Sequence, residues 1–143
     1  KRNRDDTDFR IWKDKFKERD KKCTFCNLES KAEKENSMAF AIKDKFPATK
    51  SHMLVIPRRH TNSFFDLIPG ERDECYVLLD ELKQKIMKND KTITGFNIGI
   101  NDSEDAGQTI PHCHIHLIPR RKGDTKDPRG GIRHVIPEKG IYS

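Results

Sequence analysis

Three of the six histidines occupy alternate positions of one short segment, at His112, His114 and His116. Alternate side chains of a β-strand project to one face, so we expect the three imidazoles to lie in a row about 6.6 Å apart. The intervening Cys113 and Ile115 would then face the core. Strand surfaces usually carry Thr, Lys or Glu, so this row indicates chemistry, by a nucleophilic imidazole or at a three-histidine metal site.

The loop before these histidines separates the two possibilities. Gly107, Gln108 and Thr109 supply a flexible backbone, an amide and a hydroxyl, which suit phosphate oxygens. A neutral imidazole among such groups can attack phosphorus, and an ordinary pKa of about 6.5 leaves much of it neutral at pH 7. A metal cluster would call for carboxylates or thiolates there. The segment therefore predicts chemistry at a phosphate group.

A sheet must hold this segment, and the hydrophobic pattern predicts one. Residues 38–43 alternate as a strand does, and residues 52–57 form a mostly apolar, buried strand. A third strand is predicted at residues 92–101, with Phe96, Ile98 and Ile100 on its apolar face. Its other face carries Asn97, Gly99 and Asn101, and small or amide residues there indicate close approach of another group.

A long helix is predicted at residues 69–88, where Pro69 suits the first position. Its apolar stripe consists of Cys75, Leu78, Leu79, Leu82 and Ile86. Short connections between consecutive strands predict an α+β fold, in which the long helix and short helices pack on an antiparallel sheet.

Three regions are predicted along the chain. Residues 1–22 form a charged segment with an amphipathic helix at 7–19, residues 23–120 form the main domain, and residues 121–143 form a basic, Gly-rich tail.

The basic character of the chain limits its partners. The formal net charge is +6, which suits either a nucleic acid or a small phosphate compound. Many lysines alternate with acidic residues, as on a solvated surface, and no aromatic-basic interleaving typical of single-strand binders is present. The sequence contains no apolar run of membrane-spanning length and no signal peptide pattern, so we expect a cytoplasmic protein with no membrane partner.

The four cysteines do not resemble a disulfide framework. Cys23 and Cys26 have the spacing of half a structural zinc site, although a redox pair has the same spacing. Cys75 and Cys113 fall at apolar positions, where a small buried hydrophobe is the simpler interpretation.

The segment His112-Cys113-His114-Ile115-His116-Leu117-Ile118 resembles the signature of the histidine triad (HIT) family of nucleotide hydrolases and transferases. The resemblance extends to Gly107-Gln108-Thr109, to Phe96-Asn97-Ile98-Gly99-Ile100-Asn101 and to Leu54-Val55-Ile56-Pro57-Arg58-Arg59-His60. It covers roughly residues 23–120 and is similar to the zinc-containing bacterial branch. It implies the HIT-like α+β fold.

The resemblance also implies catalytic roles. His114, the middle histidine, would attack the α-phosphate of a nucleotide and become transiently nucleotidylated. His116 would hydrogen-bond the phosphate oxygens. Gln108 and Thr109 would contact the phosphate or the leaving atom, with Asn101 and Gly107 beside them.

Further residues are assigned to binding by the same resemblance. Asp44 would hold the ribose hydroxyls, although an ordinary turn aspartate fits the sequence too. Phe25 and Leu28 would enclose the base, or belong to the core. Four residues would hold a structural zinc ion, namely Cys23, Cys26, His60 and His112.

The predicted function is hydrolysis of a nucleoside phosphoramidate or dinucleoside polyphosphate at the α-phosphate, releasing a nucleoside monophosphate. Alternatives are a nucleotidyltransferase or phosphorylase of the same superfamily, a zinc-stabilised nucleic-acid-binding module, and a nucleotide sensor. The expected partners are a purine nucleotide and a second copy of the chain, as a homodimer pairing the long helix and a strand. Arg129, Arg133 or His134 in the tail would reach a distal phosphate or pack on the dimer.

Overall fold

A computed structural model describes residues 20–142 of the chain. The helix predicted at 7–19 lies outside the described residues. Five strands form one sheet: β1 (Lys34–Glu35), β2 (Ala39–Lys43), β3 (Met53–Pro57), β4 (Ile93–Gly99) and β5 (Ile115–Arg121). Their order is β1-β2-β3-β5-β4, and every neighbouring pair is antiparallel. The predicted α+β fold with an antiparallel sheet is confirmed.

The one α-helix within residues 20–142, α1 (Pro69–Asn89), packs mainly on β2 and β3. Cys75, Leu78 and Leu82 are buried against alternate residues of β2, β3 and β5, as the stripe predicted. Cys113 is buried as well, and burial raises the pKa of its thiol to about 12. Both cysteines therefore act as small hydrophobic groups. No helix within residues 20–142 has the length and apolar character needed to cross a membrane.

A buried ion pair fixes the start of α1. The Glu71 side chain is fully buried and accepts hydrogen bonds from the Arg59 guanidinium, the shortest at 2.8 Å. The Ile68 N–H also donates to Glu71, which satisfies one of the unpaired amides of the first helical turn. Arg59 follows β3 closely, so this pair joins the helix to the sheet.

The histidine segment differs from its predicted form, because β5 begins only at Ile115. Pro111 has no N–H to donate to a neighbouring strand. The His112 N–H donates to the Ile110 carbonyl, and the Cys113 N–H donates to the Thr61 carbonyl, at 2.8 and 2.7 Å. The chain therefore bends at residues 110–112, and both His112 and His114 precede the strand, so the three histidines do not form one regular row.

The tail forms a small unit that we call the C-terminal lobe, residues 127–142. It contains two short 3₁₀ helices, Gly131–Val135 and Pro137–Lys139. The His134 ring packs directly on Gly140, where any side chain would overlap it, and its Nε2 donates to the Arg129 carbonyl at 2.8 Å. The lobe lies against β4, with Ile132 beside Gly99.

Candidate active site

A cavity of about 900 Å³ opens on the sheet face opposite α1. Ile42 and Leu54 form its floor, and His116 stands beside them because it pairs with Leu54 across β3 and β5. The short segment after Cys23 forms one wall, where Phe25 and Leu28 line the cavity. The cavity size suits a small-molecule ligand.

The hydrogen bonding of His114 fixes its tautomer. Its Nδ1 lies 2.8 Å from the His112 carbonyl oxygen, which only accepts, so Nδ1 carries the proton. The Nε2 atom of the neutral ring therefore carries a free electron pair. The ring packs edge-on against Phe25, with centroids 4.9 Å apart, and His114 lines the cavity. This arrangement presents an oriented nitrogen nucleophile.

His116 has the complementary tautomer. The Ala48 N–H donates to His52 Nδ1 at 2.9 Å, so the proton of a neutral His52 is on Nε2. That Nε2 lies 2.9 Å from His116 Nδ1 and donates to it, which leaves the proton of His116 on its own Nε2. His116 is thus a hydrogen-bond donor through Nε2, suited to a phosphate oxygen.

Burial keeps both of these histidines neutral. Desolvation, assisted by the neighbouring His114 and His52, lowers the pKa of His116 to about 4. Desolvation also lowers the pKa of His52, opposed by the Asp44 carboxylate. Since these pKa values fall below neutrality, the proton arrangement described above applies at pH 7.

His52 is the site residue that the sequence patterns did not single out. It is isolated in the sequence and reaches His116 only because β3 pairs with β5. The signal available was a histidine immediately before a buried strand, where an apolar residue would be expected. A buried histidine there needs polar partners, and Ala48 and His116 supply them.

Asp44 lies at the same edge of the cavity. Its Oδ1 accepts from the Phe46 N–H at 2.8 Å, and its Oδ2 lies 3.4 Å from His52 Nε2 and 3.9 Å from His116 Nδ1. Asp44 lines the cavity, so its carboxylate faces any ligand held beside His116.

The loop residues divide between two places. Asn101, Gly107 and Thr109 line the cavity beside His114. Gly107 has φ 94°, a conformation that favours glycine. Gln108 does not line this cavity. Its amide donates to the Asn62 and Ile110 carbonyls, and its Oε1 accepts from the Ser103 N–H. In this structure Gln108 closes the loop.

A second cluster adjoins the cavity. Sγ and imidazole nitrogen atoms of Cys23, Cys26, His60 and His112 converge within 4.8 Å of one another. His112 is fully buried, and its Nε2 donates to the Pro57 carbonyl at 2.7 Å, so in the neutral ring Nδ1 is the nitrogen without a proton. That Nδ1 lies 3.5 Å from both sulfur atoms, and His60 Nδ1 lies 3.4 Å from Cys26 Sγ.

These distances fit a tetrahedral zinc ion. Bond lengths of about 2.3 Å to sulfur and about 2.05 Å to nitrogen place the two ligand atoms about 3.6 Å apart. The donor set of two thiols and two imidazoles is also one that structural zinc sites use. The cluster could therefore hold zinc.

The chain is similar to known proteins in sequence and in structure. A family model described as the HIT domain matches residues 27–123. The bis(5'-nucleosyl)-tetraphosphatase (asymmetrical) of Schizosaccharomyces pombe is 42% identical over 78 residues, which are 54% of this chain and 42% of the relative. The bifunctional bis(5'-adenosyl)-triphosphatase/adenylylsulfatase FHIT of Arabidopsis thaliana is 32% identical over 87 residues, 61% of this chain and 48% of the relative. The chain thus spans less than half the length of either relative.

One solved structure bears on the cluster as well as the fold. A zinc-bound histidine triad family protein from Mycobacterium smegmatis superposes with a TM-score of 0.67 and 32% identity. The match covers 74% of this chain and 80% of that chain.

Proposed function

The chain belongs to the HIT domain family, and on that premise we propose that it is a nucleotide hydrolase that cleaves its substrate at the α-phosphate through a covalent nucleotidyl-His114 intermediate. The substrates are dinucleoside polyphosphates or nucleoside phosphoramidates, and the product is a nucleoside monophosphate. The first class agrees with the names of the two relatives described above.

One observation carries this proposal, the orientation of His114 by the His112 carbonyl. It leaves Nε2 as the nucleophile without any need for a strong base. In the first step, Nε2 forms a bond to the α-phosphorus, and the bond from phosphorus to the leaving group breaks, with its electron pair going to the leaving group. An amine leaving group takes up a proton from solvent. In the second step, water attacks the phosphorus, loses a proton to solvent and releases the nucleoside monophosphate from His114.

The other residues bind the substrate around this reaction. His116 donates from Nε2 to a phosphate oxygen, where negative charge develops. Thr109 and Gly107 contact the phosphate from the loop, and Asn101 contacts it from the end of β4. Gln108 supports these contacts by holding the loop, which is a more indirect role than the predicted phosphate contact.

The nucleoside lies toward the wall formed by the Cys23–Leu28 segment. Asp44 accepts hydrogen bonds from the ribose hydroxyls, as a carboxylate with two oxygens can. Phe25 and Leu28 contact the base together with Ile42, and this broad apolar wall favours a purine.

The test is mass spectrometry of the intact protein after brief exposure to diadenosine tetraphosphate and a quench without acid. The wild type should gain one AMP-sized adduct and release AMP, whereas His114→Ala should do neither. A binding titration with AMP provides the control, because His114→Ala must still bind the product. Turnover by the wild type with no adduct at any quench time, or an adduct that survives in His114→Ala, would contradict the covalent mechanism.

We also propose that Cys23, Cys26, His60 and His112 hold a structural zinc ion. Zinc there would tie the segment before β1 to the histidine segment, and Phe25 in that segment contacts the His114 ring. One zinc ion per chain is expected by elemental analysis of the purified protein, and none in Cys26→Ser. Cys75→Ser is the matched control and should retain the metal, since Cys75 lies in the other core cluster.

The proposed partner besides the nucleotide is a second copy of the chain. β4 is an edge strand, and α1 packs mainly over β2 and β3, away from it. Ile98 in β4 is 51% exposed, although Phe96 and Ile100 pack against the core. An exposed edge strand with an uncovered apolar side chain suits pairing with its own copy about a two-fold axis.

A further inference from the structure

A second cavity of about 610 Å³ lies between the sheet and the C-terminal lobe. Its floor includes Ile118 of β5 and Asn97 of β4, which pair with each other, and Ile132 and Val135 of the lobe form its roof. Ile118 is two residues after His116 in β5, so both side chains project to the same face of the sheet.

This second cavity adjoins the candidate active site at two points. His116 pairs with Gly99 across the strands, and the Ile132 side chain sits against Gly99. On the other side, Ala48 lines the second cavity while its N–H orients His52. His116 and Ile118 are about 7 Å apart along β5, so a ligand with a phosphate at His116 can extend into the second cavity.

The walls of this cavity suit an uncharged ring. Ile118, Ile132 and Val135 are apolar. Arg120 also lines it, but its guanidinium is neutralised by a two-point pair with Asp124 and donates to the side-chain Oδ1 of Asn97. The cavity thus offers apolar surface with an amide at its edge, which matches a nucleoside better than a chain of phosphates.

The other route out of the active site is less suitable. Past Gly107 and Thr109 lies a cavity of about 720 Å³ that is also lined by Asp102 and Glu104. The cavity under the lobe also has two carboxylates, Asp124 and Asp127, but these pair with Arg120 and Arg129. Within residues 20–142 no basic side chain pairs with Asp102 or Glu104, so these two carboxylates repel the phosphates of a polyphosphate leaving group. Charge therefore favours the route toward the lobe.

We propose that the cavity under the C-terminal lobe binds the nucleoside of the leaving group in a dinucleoside polyphosphate. The inference rests on the proposed function, since it assigns the second half of that substrate. It gives the lobe a direct role in choosing substrates with two nucleosides over those with a small leaving group.

The test compares diadenosine tetraphosphate with adenosine 5'-phosphoramidate, whose leaving group is ammonia. The double variant Ile132→Asn/Val135→Asn makes the roof polar without adding charge. We expect its KM for the tetraphosphate to rise about tenfold, in the range for losing apolar contacts in a pocket, with KM for the phosphoramidate unchanged. The matched control is Ile136→Asn/Ile141→Asn, which changes exposed lobe residues outside the cavity lining and should resemble the wild type.

Equal effects on the two substrates, or none on either, would overturn the inference while leaving the hydrolase intact. A wild type that turns over neither substrate would overturn the proposed function itself, and the inference with it. Sedimentation of the same proteins tests whether the roof of the cavity instead contacts a second copy of the chain. If the cavity variant alone changes the oligomeric state, the roof contacts a second copy of the chain and the inference is wrong.

Discussion

At the scale of single residues, the chemistry of the candidate site depends more on which imidazole nitrogens carry protons than on how many histidines are present. The roles proposed for His114 and His116 differ because each Nδ1 has a different partner, a carbonyl oxygen for one and the N–H of His52 for the other. The first arrangement makes Nε2 a nucleophile, and the second makes it a donor.

The donor role of His116 predicts the effect of changing His52. In His52→Leu, nothing holds the proton of His116 on Nε2, so kcat should fall about 10- to 100-fold, the loss typical of a misplaced catalytic group. His52→Gln keeps an N–H near the same position and should recover most of that loss. KM should change little in either variant, as measured by steady-state kinetics on the phosphoramidate.

Thermal unfolding supplies the control for these variants, because both remove a buried ring. If His52→Leu and His52→Gln lower kcat equally and are equally stable, His52 only fills space and does not orient the proton of His116.

Residue types and spacing were enough to single out the three histidines and the Cys pair in the sequence, and the family resemblance added His60. His52 was missed because its relation to His116 is created by strand pairing, over a sequence separation of 64 residues. Gln108 shows the opposite difficulty. Its position in the motif predicted a phosphate contact, whereas the local loop in this structure uses its amide for three backbone hydrogen bonds.

At the scale of elements, periodicity located α1, β2, β3 and β4 to within two residues, whereas the two-residue strand β1 was not predicted. Periodicity failed at the start of β5. The alternation of residue types begins at His112, but the Cys113 N–H donates to the Thr61 carbonyl instead of to a neighbouring strand. The hydrophobic pattern also could not show how α1 is anchored, because Glu71 pairs with Arg59, which lies in a different segment of the chain.

That anchor predicts a large loss of stability in Glu71→Gln. The substitution keeps the shape of the side chain but replaces the carboxylate that faces the buried Arg59 guanidinium, 4% exposed, with a neutral amide. Breaking a buried ion pair on one side costs about 3–5 kcal/mol, so the urea midpoint should fall sharply.

Glu81→Gln provides the matched comparison. Glu81 pairs with Lys34 at 3.1 Å on the surface, where such a pair contributes about 0–1 kcal/mol. A loss as small in Glu71→Gln as in Glu81→Gln would show that the pair does not anchor the helix.

At the scale of the whole molecule, the sequence predicted the antiparallel sheet but could not position the tail. The lobe depends on contacts made possible by the absence of side chains, at Gly130 beside the Gly140 carbonyl and at Gly140 under His134. Such packing has no periodicity to detect. The same limit applies to assembly, because an apolar stripe fits a core and an interface equally well.

The uncovered edge of the sheet predicts which substitution disrupts the proposed dimer. Ile98→Lys places a charge on β4, where pairing with a second copy would bury it, so the protein should sediment as a monomer at concentrations where the wild type is a dimer. Ile141→Lys is the matched control, because Ile141 is also 51% exposed but lies in the C-terminal lobe. If only Ile141→Lys yields monomers, the lobe rather than β4 forms the interface. If the wild type itself sediments as a monomer, the proposed pairing of β4 with a second copy is wrong, and the proposed nucleotide site must be complete within one chain.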